Sequence, residues 1–576
     1  MTLDGLSIAA LVAELAPLLS GAKIEKINMP AKDEIVLLLH TKEGKKRLAL
    51  SASGGEARIH LTAQQKANPD RAFNFCMFLR KYLSGGRIES ICQIGLERVV
   101  HMAIAAKDEM GIPCSYKLCI EIMGKYSNII LVHESGKVMD SIKHISVDTS
   151  SKRQVLPGVS YDLPPMDKTN PLEAEPGQIA ARIAGRGLPY GLVEALEGVS
   201  PQTAEELCAR FFAQVPAMLE QGRAAEFSAF LRNYLENALA HPVPCVQTNM
   251  EGVPVFLSPV PYLAYSEKNR KSFAAMNEAV DYYYAQRDYL QKLTQRKQAL
   301  QKVLKKNITR VEKKLKYQWE TIQAAEKADT FRLYGELISA NIYQLKRGMD
   351  RAVLQNYYTG QDVRIPLDVS LSPAANATKY FKKVTKLKNG VAIAEKQAEQ
   401  YEAELAYLRE LEYAAESAQE LEDLGEVKGE LVRYGYLDLA PKEKLQRGDP
   451  LERPMEFILT SGARVLAGRN SRQNDALTLR VAGDEDYWFH AKNLPGSHVI
   501  LFTEGQELRD QDVIEAATIA ASFCRSGDGG KVEIDYAPRK NVWKPNGARP
   551  GMVTYEHYWS VIVSPNMEWI EKFRRN

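Results

Sequence analysis

Cations, side-chain amides and aromatic rings crowd into three segments near the C-terminal end, GRNSRQND, YWFHAKNLPGSH and PRKNVWKPNGARPG. Cations bind phosphates and flat rings stack on unpaired bases, so this mixture is typical of RNA contact. Acids and bases balance over the block as a whole, so the prediction depends on the local mixture. We predict an RNA-binding surface that includes Arg469, Asn470, Asn474, Asp475, Trp488, His490, Lys492, Ser497, His498, Lys540 and Lys544.

A second candidate site lies in the N-terminal block, at the turn EIMGKYSN between two predicted strands. This turn and the start of a neighbouring strand, GLER, carry Glu97, Arg98, Glu121, Gly124, Lys125 and Asn128. An acid beside a cation usually forms a structural ion pair. The alternative is a polar contact with an RNA backbone or base edge. The residues alone leave both interpretations open.

Motifs for metal binding and catalysis are missing from the sequence. His490 and His498 have no third His or Cys at ligand spacing, and paired histidines on adjacent strands are more often structural. We find no phosphate-binding G-x-x-x-x-G-K-[ST] motif, nucleophile elbow or pair of catalytic carboxylates. We therefore expect no catalytic residues, no metal and no cofactor.

Two long helical segments occupy the middle of the chain. Apolar residues recur at intervals of three, four and seven at Leu293, Leu300, Leu304, Ile308, Val311, Leu315 and Ile322, and again at Leu387, Val391, Ala394, Ala398, Tyr401, Leu405 and Leu408. This spacing predicts an apolar seam along each helix. We predict an antiparallel coiled coil over residues 269–435, with a small insert of a helix and short strands, about 330–372, at its tip.

The predicted coiled coil carries two basic runs. One extends from Lys302 to Lys316 and the other from Lys379 to Lys388, whereas Glu395 to Glu420 is acidic. If the helices are antiparallel, we expect the basic runs to lie side by side near the tip. A solvated helix face is the alternative, but two adjacent runs favour contact with a polyanion. The contact residues would be Lys305, Lys306, Arg310, Lys313, Lys382 and Lys383.

Composition indicates a globular protein of several domains. A chain of 576 residues is too long for a single hydrophobic core. Its contents of 45% hydrophobic and 26% charged residues are ordinary for a globular protein. Seven scattered cysteines, an odd number without C-x-x-C, favour a reducing cytosol over a disulfide framework. The N-terminal apolar run lacks a basic start and contains Glu14, so it predicts a packed helix rather than a signal peptide. No run is long enough to span a bilayer. We expect a cytoplasmic protein.

The remaining blocks also have recognisable patterns. Strand-like runs around a helix at about 72–83 predict an α+β first block with an antiparallel sheet. In this helix we expect Phe75, Cys76, Leu79 and Leu83 to face inward. Residues 177–242 are helical, and GLVEALEGVSPQTAEELCARF outlines a helix-hairpin-helix, whose amides can hold a phosphate although only Gly198 is present in its turn. The last block is again α+β, with ALTLRVA and DYWFHA among its predicted strands.

Six segments, EIMGKYSNIIL, NFCMFLRKYL, LSPAANATKYFKK, GRNSRQNDALT, YWFHAKNLPGSH and KNVWKPNGARPGMV, are similar in sequence and order to motifs of the NFACT family. The resemblance covers essentially the whole chain. It implies an α+β multidomain fold: an N-terminal domain similar to formamidopyrimidine-DNA glycosylases (1–172), a helix-hairpin-helix region (173–268), a coiled coil with a tip (269–435) and an NFACT-R RNA-binding domain (436–576).

The resemblance also implies a function in ribosome-associated quality control. The partners would be the large ribosomal subunit with its rRNA, a stalled peptidyl-tRNA nascent chain and charged tRNA, here tRNA-Ala, for mRNA-independent alanine tailing. The ribosome would perform peptide transfer, so the chain would be an adaptor, monomeric on the ribosome and without membrane contact, rather than an enzyme. The coiled-coil cations would contact rRNA.

The family's tRNA-binding positions correspond to Glu97, Arg98, Glu121, Gly124, Lys125 and Asn128. Glu97 stands where Asp is usual, which keeps the charge but moves it by one methylene. Tyr126 replaces the usual His, so a role for that imidazole cannot be transferred.

Two alternative functions remain to be considered for such a chain, an enzyme and an adhesin. A DNA glycosylase of the similar fold attacks through an N-terminal proline, whereas this sequence begins Met1-Thr2. A surface fibronectin-binding adhesin, the family's older label, would be expected to carry a signal peptide or an anchor.

Overall fold

The computed structural model describes residues 3–107, 110–148, 150, 152–439, 454–525 and 530–575. The chain divides into two compact units, Met1–Leu290 and Gln291–Asn576, and each is described by itself.

An antiparallel sheet of nine strands forms the framework of the first unit, in the order β4-β3-β2-β1-β5-β6-β7-β8-β9. Branched and aliphatic residues alternate along the strands, which buries one face of the sheet. The strands are β1 (Lys23–Ala31), β2 (Glu34–Thr41), β3 (Gly44–Ser51), β4 (Arg58–Leu61), β5 (Arg87–Gln93), β6 (Val99–Lys107), β7 (Pro113–Glu121), β8 (Asn128–His133) and β9 (Val138–Ser141).

Two helices pack on this sheet, α1 (Gly5–Leu19) and α2 (Asn74–Leu83). The predicted inward face of α2 is confirmed, because Phe75, Cys76, Leu79 and Leu83 are buried in the core beneath the sheet. Asp4 caps α1 by accepting a hydrogen bond from the Ser7 amide at 2.9 Å. The sheet and its helices match the predicted α+β first block.

A helical cluster follows: α3 (Pro176–Ile183), α4 (Tyr190–Ala195), α5 (Pro201–Phe211) and α6 (Gln221–Ala240). Its core includes Leu6 of α1 and Leu96, so it packs on the N-terminal block. A small sheet in the order β11-β10-β12 closes the unit, with β10 (Cys245–Thr248), β11 (Pro254–Ser258) and β12 (Arg270–Ser272).

Long helices dominate the first part of the second unit. They are α7 (Met276–Ala324), which begins in the first unit, α8 (Lys327–Ala340), α9 (Pro373–Ser417) and α10 (Leu421–Arg433). Leu304 and Val311 of α7 are buried in one core with Leu408 of α9. Between α8 and α9, the hairpin β13 (Arg351–Gln355) and β14 (Asp362–Pro366) shares a second core with Leu337 and Tyr380.

Contacts between α7 and α9 run in opposite directions along the two helices. The Lys297 ammonium donates to the Glu416 carbonyl at 2.6 Å, and the Lys314 ammonium lies 5.3 Å from the centre of the Tyr401 ring. The two helices are therefore antiparallel along this stretch, which we call the helical pair.

The expectation that the two basic runs lie side by side is wrong. Antiparallel pairing sets the cations of α7 against the Glu-rich end of α9, where Glu312 of α7 pairs with Arg409 at 3.3 Å. The other run begins beside α8 instead, since the Lys383 ammonium lies 5.0 Å from the Phe331 ring. The helical period shows which face of a helix is buried, but not which stretch of the partner covers it.

A six-stranded antiparallel sheet organises the end of the chain, in the order β15-β16-β18-β17-β19-β22. Its strands are β15 (Met455–Ile458), β16 (Arg464–Ala467), β17 (Tyr487–Ala491), β18 (Val499–Leu501), β19 (Val532–Pro538) and β22 (Trp559–Val563), beside a small ladder of β20 (Val542–Trp543) and β21 (Thr554–Tyr555). Helices α11 (Ser471–Ala476), α12 (Asp510–Ser522) and α13 (Met567–Glu571) complete the block, and α12 covers one face of the sheet.

The predicted strand ALTLRVA is helical instead. Asn470 caps α11 by accepting from the Gln473 amide at 2.9 Å, and the helix continues as a π-helical turn over Leu477–Val481. The alternation of apolar and polar residues is short, and the cap upstream starts a helix through it. Leu477 is buried in a core with Trp488.

None of the seven cysteines forms a disulfide. Across the part of the chain that the structure describes, no helix has the length and apolar character needed to cross a membrane.

Polar contacts, partly buried and partly exposed, join the C-terminal block to the helical pair. The Glu410 carboxylate accepts from the Gly496 amide at 3.3 Å, and the Arg525 guanidinium pairs with Glu412 and Glu416 of α9. The Arg549 guanidinium lies over three rings, 4.8 Å from that of Tyr407 and 5.4 Å from those of Tyr434 and Tyr436. Arg549 belongs to a segment predicted to contact RNA, but these contacts give its guanidinium a structural role.

Burial raises the pKa of Glu410 to about 8, against the lowering effect of the Gly496 amide. A raised carboxyl pKa contributes stability at low pH that is lost as the pH rises from about 4.5 through 8. We expect Glu410→Gln to melt like the wild type at pH 5 and several degrees higher at pH 9, measured by calorimetry. Glu402→Gln, on the exposed side of the same helix, is the control. An equal shift at both pH values would contradict the assignment.

Candidate RNA-contact surfaces

The turn between β7 and β8 combines an exposed tip with a buried base. Gly124 has a φ of +58°, which favours glycine and tightens the turn. Lys125 and Tyr126 are exposed, and the Lys125 ammonium lies 4.9 Å from the centre of the Tyr126 ring. The Lys125 ammonium and the Tyr126 ring are thus both accessible to solvent at the tip of this turn.

Two predicted contact residues of this turn are instead inside the protein. Glu121 is 1% exposed, and its oxygens accept from the Arg153 guanidinium at 2.7 and 2.9 Å and from the Tyr161 hydroxyl at 3.0 Å. The buried Asn128 side chain donates to the Lys143 carbonyl at 2.8 Å and accepts from two amides. We correct their expected direct contact with RNA: both position the turn.

Glu97 and Arg98 lie beside this turn. The Arg98 carbonyl accepts from the Ile122 amide at 2.8 Å, and Val99 pairs with Glu121 across β6 and β7. Arg98 is half-buried, and this burial lowers its pKa while the charges of Glu97 and Asp4 oppose the change. The predicted N-terminal residues therefore come together at one end of the sheet.

The α4–α5 hairpin packs against the same end. Gly198, with a φ of +68°, accepts through its carbonyl from the Gly5 amide at 3.0 Å. At the start of α5, Asp4 accepts from the Ser200 hydroxyl at 3.0 Å and the Thr203 hydroxyl at 2.5 Å. A carboxylate thus occupies the place where the hairpin was expected to hold a phosphate.

Most of the predicted RNA-binding residues of the C-terminal block are buried. Trp488 is 0% exposed, so its ring cannot stack on a base, and Asn474 bridges the Gly496 carbonyl and the His498 amide. Asn470 caps α11, and the Ser497 hydroxyl donates to the Gly468 carbonyl at 2.6 Å. These residues build the loops, which corrects the expectation that they face RNA.

The three predicted lysines of this block have acidic partners. Lys492 pairs with Glu533 at 2.8 Å, Lys540 with Glu485 at 3.0 Å and Lys544 with Asp475. Arg469 is half-buried and donates its amide to Gln473 at 2.9 Å. Exposed rings here include those of Trp543, Tyr558 and Trp559, which are not among the predicted contact residues. Only Trp543 lies in one of the motif segments, and nothing in its spacing distinguishes it from the buried Trp488.

His490 and His498 lie close together, with ring centroids 5.3 Å apart. Burial lowers the pKa of His490 to about 4 and that of His498 well below its usual value. The His498 ring bonds the Thr478 hydroxyl at 2.8 Å, which marks a structural role. Elsewhere, Cys114, His133 and Glu134 bring possible ligand atoms within 4.8 Å of one another, but Glu134 is exposed and already accepts from the Ser115 amide.

The predicted cations of α7 lie on its exposed face. Lys305, Lys306, Arg310 and Lys313 are exposed, and so are Lys382 and Lys383 of α9. Within the described ranges, the four α7 cations have no acidic partner within ion-pair distance. Lys306, Arg310 and Lys313 follow at intervals of four and three, which gives one stripe.

The chain was compared with known protein families. The profile of the NFACT N-terminal and middle domains matches residues 4–449, and that of the NFACT protein RNA binding domain matches residues 453–556. Both profiles together cover nearly the entire sequence, in the order that the sequence motifs predict.

Among curated proteins, the chain is 35% identical over 588 residues to the Rqc2 homolog RqcH of Bacillus subtilis (strain 168), and 32% identical over 578 residues to that of Streptococcus suis (strain 05ZYH33). Each alignment covers 100% of both chains. Human ribosome quality control complex subunit NEMF is 23% identical over 66% of this chain and 36% of its own length. The chain belongs to the NFACT family.

Proposed function

We propose that this protein is a ribosome-associated quality-control factor that binds stalled large subunits carrying peptidyl-tRNA. It recruits charged tRNA, of the alanine type, so that the nascent chain receives an alanine tail without mRNA. The observation that carries this proposal is full-length similarity to RqcH proteins, combined with exposed cations in both units.

The two units offer surfaces suited to different RNAs. In the first, Arg98, Lys125 and Tyr126 converge at one sheet end, where a folded RNA with unpaired bases can be read. In the second, Lys306, Arg310 and Lys313 form the α7 stripe, and none of them has an acid within ion-pair distance among the described residues, which suits a continuous phosphate backbone. We assign the first surface to tRNA and the second to ribosomal RNA.

The chain acts in this proposal as an adaptor and not as an enzyme. The titratable groups with strongly shifted pKa values, such as Glu410, Glu430 and His498, are buried and hydrogen-bonded between structural elements. The ribosome would form the peptide bond. The division into four domains, with a tip on the helical pair, is part of this proposal. We favour it over an adhesin or a glycosylase because the full-length relatives are Rqc2 homologs named RqcH, and the more distant relative NEMF carries a ribosome quality-control name.

Arg98→Ala tests the tRNA surface. Loss of the guanidinium removes a charge-assisted contact, which is worth about tenfold or more in affinity. We expect alanine tailing on purified large subunits to be lost, while sedimentation of the protein with the subunit stays unchanged.

Arg87→Ala, on the neighbouring strand β5, is the matched control, and thermal melting checks the fold of both variants. If tailing and subunit association fell together, or if neither changed, the assignment of separate surfaces would be wrong.

Reversal of Lys306, Arg310 and Lys313 to Glu tests the ribosomal surface. Each cation that releases counterions adds about 0.9 or less to the slope of log affinity against log salt concentration. We expect weaker subunit binding and a shallower salt dependence, measured by co-sedimentation over a salt series.

The control reverses Lys23, Lys26 and Lys42, exposed cations of the first unit, and so changes the net charge by the same amount. Equal losses in both triple variants would indicate a general charge effect and exclude a defined stripe.

A further inference from the structure

Tyr126 combines an exposed ring with a backbone that the surrounding protein holds in place. Its side chain is 66% exposed, whereas the next two residues, Ser127 and Asn128, are fully buried. A single exposed tyrosine is ordinary on a protein surface. What distinguishes Tyr126 is how firmly its backbone is held.

The turn is fixed from beneath by a lysine. The Lys143 ammonium donates to the Ser127 carbonyl at 2.9 Å and to the Ala52 carbonyl at 2.5 Å, and burial lowers the pKa of Lys143. The Ser127 hydroxyl accepts from the Met123 amide at 2.8 Å. A half-buried cation with carbonyl partners thus connects the turn to the neighbouring loop.

That neighbouring loop contains glycines where it meets the turn. A Cβ on Gly54 would lie 3.4 Å from Lys125 Cα, so the two backbones are in van der Waals contact. The backbone below Lys125 and Tyr126 is therefore packed, and only the two side chains extend outward. An aromatic ring held this way loses little conformational entropy when a partner binds.

The chemistry around the ring matches that of an unpaired nucleotide. The Lys125 ammonium, 4.9 Å from the ring centre, provides positive charge for a phosphate next to a stacked base. Ile122, four residues before Tyr126, bonds the Arg98 carbonyl and places this ring at the Arg98 end of the sheet. Proteins read single-stranded RNA with such pairs of flat rings and cations.

We propose that Tyr126 stacks on an unpaired base of bound RNA, with Lys125 contacting the adjoining phosphate. This rests on the proposed function, since it names the group that the tRNA surface holds. The base belongs to the transfer RNA, because the ring lies beside Arg98 and not on the α7 stripe. The ring does not require the chemistry of the imidazole that is usual at this position.

The test measures the affinity of the purified full-length protein for tRNA-Ala by fluorescence anisotropy over a salt series. Loss of one stacked base weakens binding by about 5- to 150-fold, so Tyr126→Ala should fall in this range while Tyr126→Phe binds like the wild type. The salt slope of Tyr126→Ala should stay unchanged. Lys125→Ala should also reduce the slope by about 0.7 to 0.9.

Tyr343→Ala is the matched control, because Tyr343 is 78% exposed in the second unit, outside the proposed tRNA surface. A melting temperature equal to that of the wild type excludes misfolding of Tyr126→Ala. A parallel series with large ribosomal subunits identifies the RNA: a loss confined to the subunit keeps the stacking role but assigns the base to ribosomal RNA.

The outcomes separate the two proposals. If the wild type binds tRNA and Tyr126→Ala binds it and the subunit equally well, the stacking proposal is overturned and the function stands. If Tyr126→Phe is as weak as Tyr126→Ala, the hydroxyl and not the ring is the contact, which also overturns stacking. If the wild type binds neither RNA, both proposals fail.

Discussion

The buried carboxylate of Asp4 joins the elements around Arg98. One oxygen caps α1, and the other accepts from two hydroxyls at the start of α5, so a single charge serves two helix N-termini. Both helix dipoles favour a negative charge there, and a buried charge without such donors would be costly. Because Asp4 also lies near Arg98, the same group influences the cation proposed to meet tRNA. The position of the proposed tRNA surface thus depends on Asp4, which is buried and is not itself part of that surface.

Much of the fold could be predicted from the sequence. The period of two in the β-strands, the face of α2 and the apolar seams of α7 and α9 depend on local spacing, which burial then enforces. The prediction of a strand at ALTLRVA was wrong because the alternation of apolar and polar residues is short there. The Asn470 cap that starts the helix lies upstream of the pattern. The prediction that the two basic runs lie side by side was wrong because helical spacing does not indicate which stretches of two helices are in contact.

The candidate sites were predicted less completely, for a physical reason. Amides, histidines and acids concentrate where a protein binds a ligand, but also where a loop must satisfy its own buried backbone. Asn474 and Asn128 each hold two segments together through both ends of the amide, and Glu121 neutralises Arg153. The sequence shows where such residues are concentrated. Burial in the structure then distinguishes the residues that build a turn from the residues that the turn exposes to solvent. In EIMGKYSN the displayed pair is Lys125 and Tyr126.

Exposed cations differ in what they can contribute to binding. A phosphate that approaches Lys492 or Lys540 competes with Glu533 or Glu485, so the gain in free energy is the difference between two ion pairs. A phosphate that approaches Lys306 or Arg310 meets no such competitor among the described residues, and these cations lie about 6 Å apart along α7. Long-range attraction of a polyanion should therefore originate on the helix, while the paired cations and exposed rings of the C-terminal block act at short range. On this basis, charge would provide affinity on α7 and geometry would provide selectivity in the C-terminal block, because Lys492 and Lys540, unlike Lys306 and Arg310, are paired with acids among the described residues.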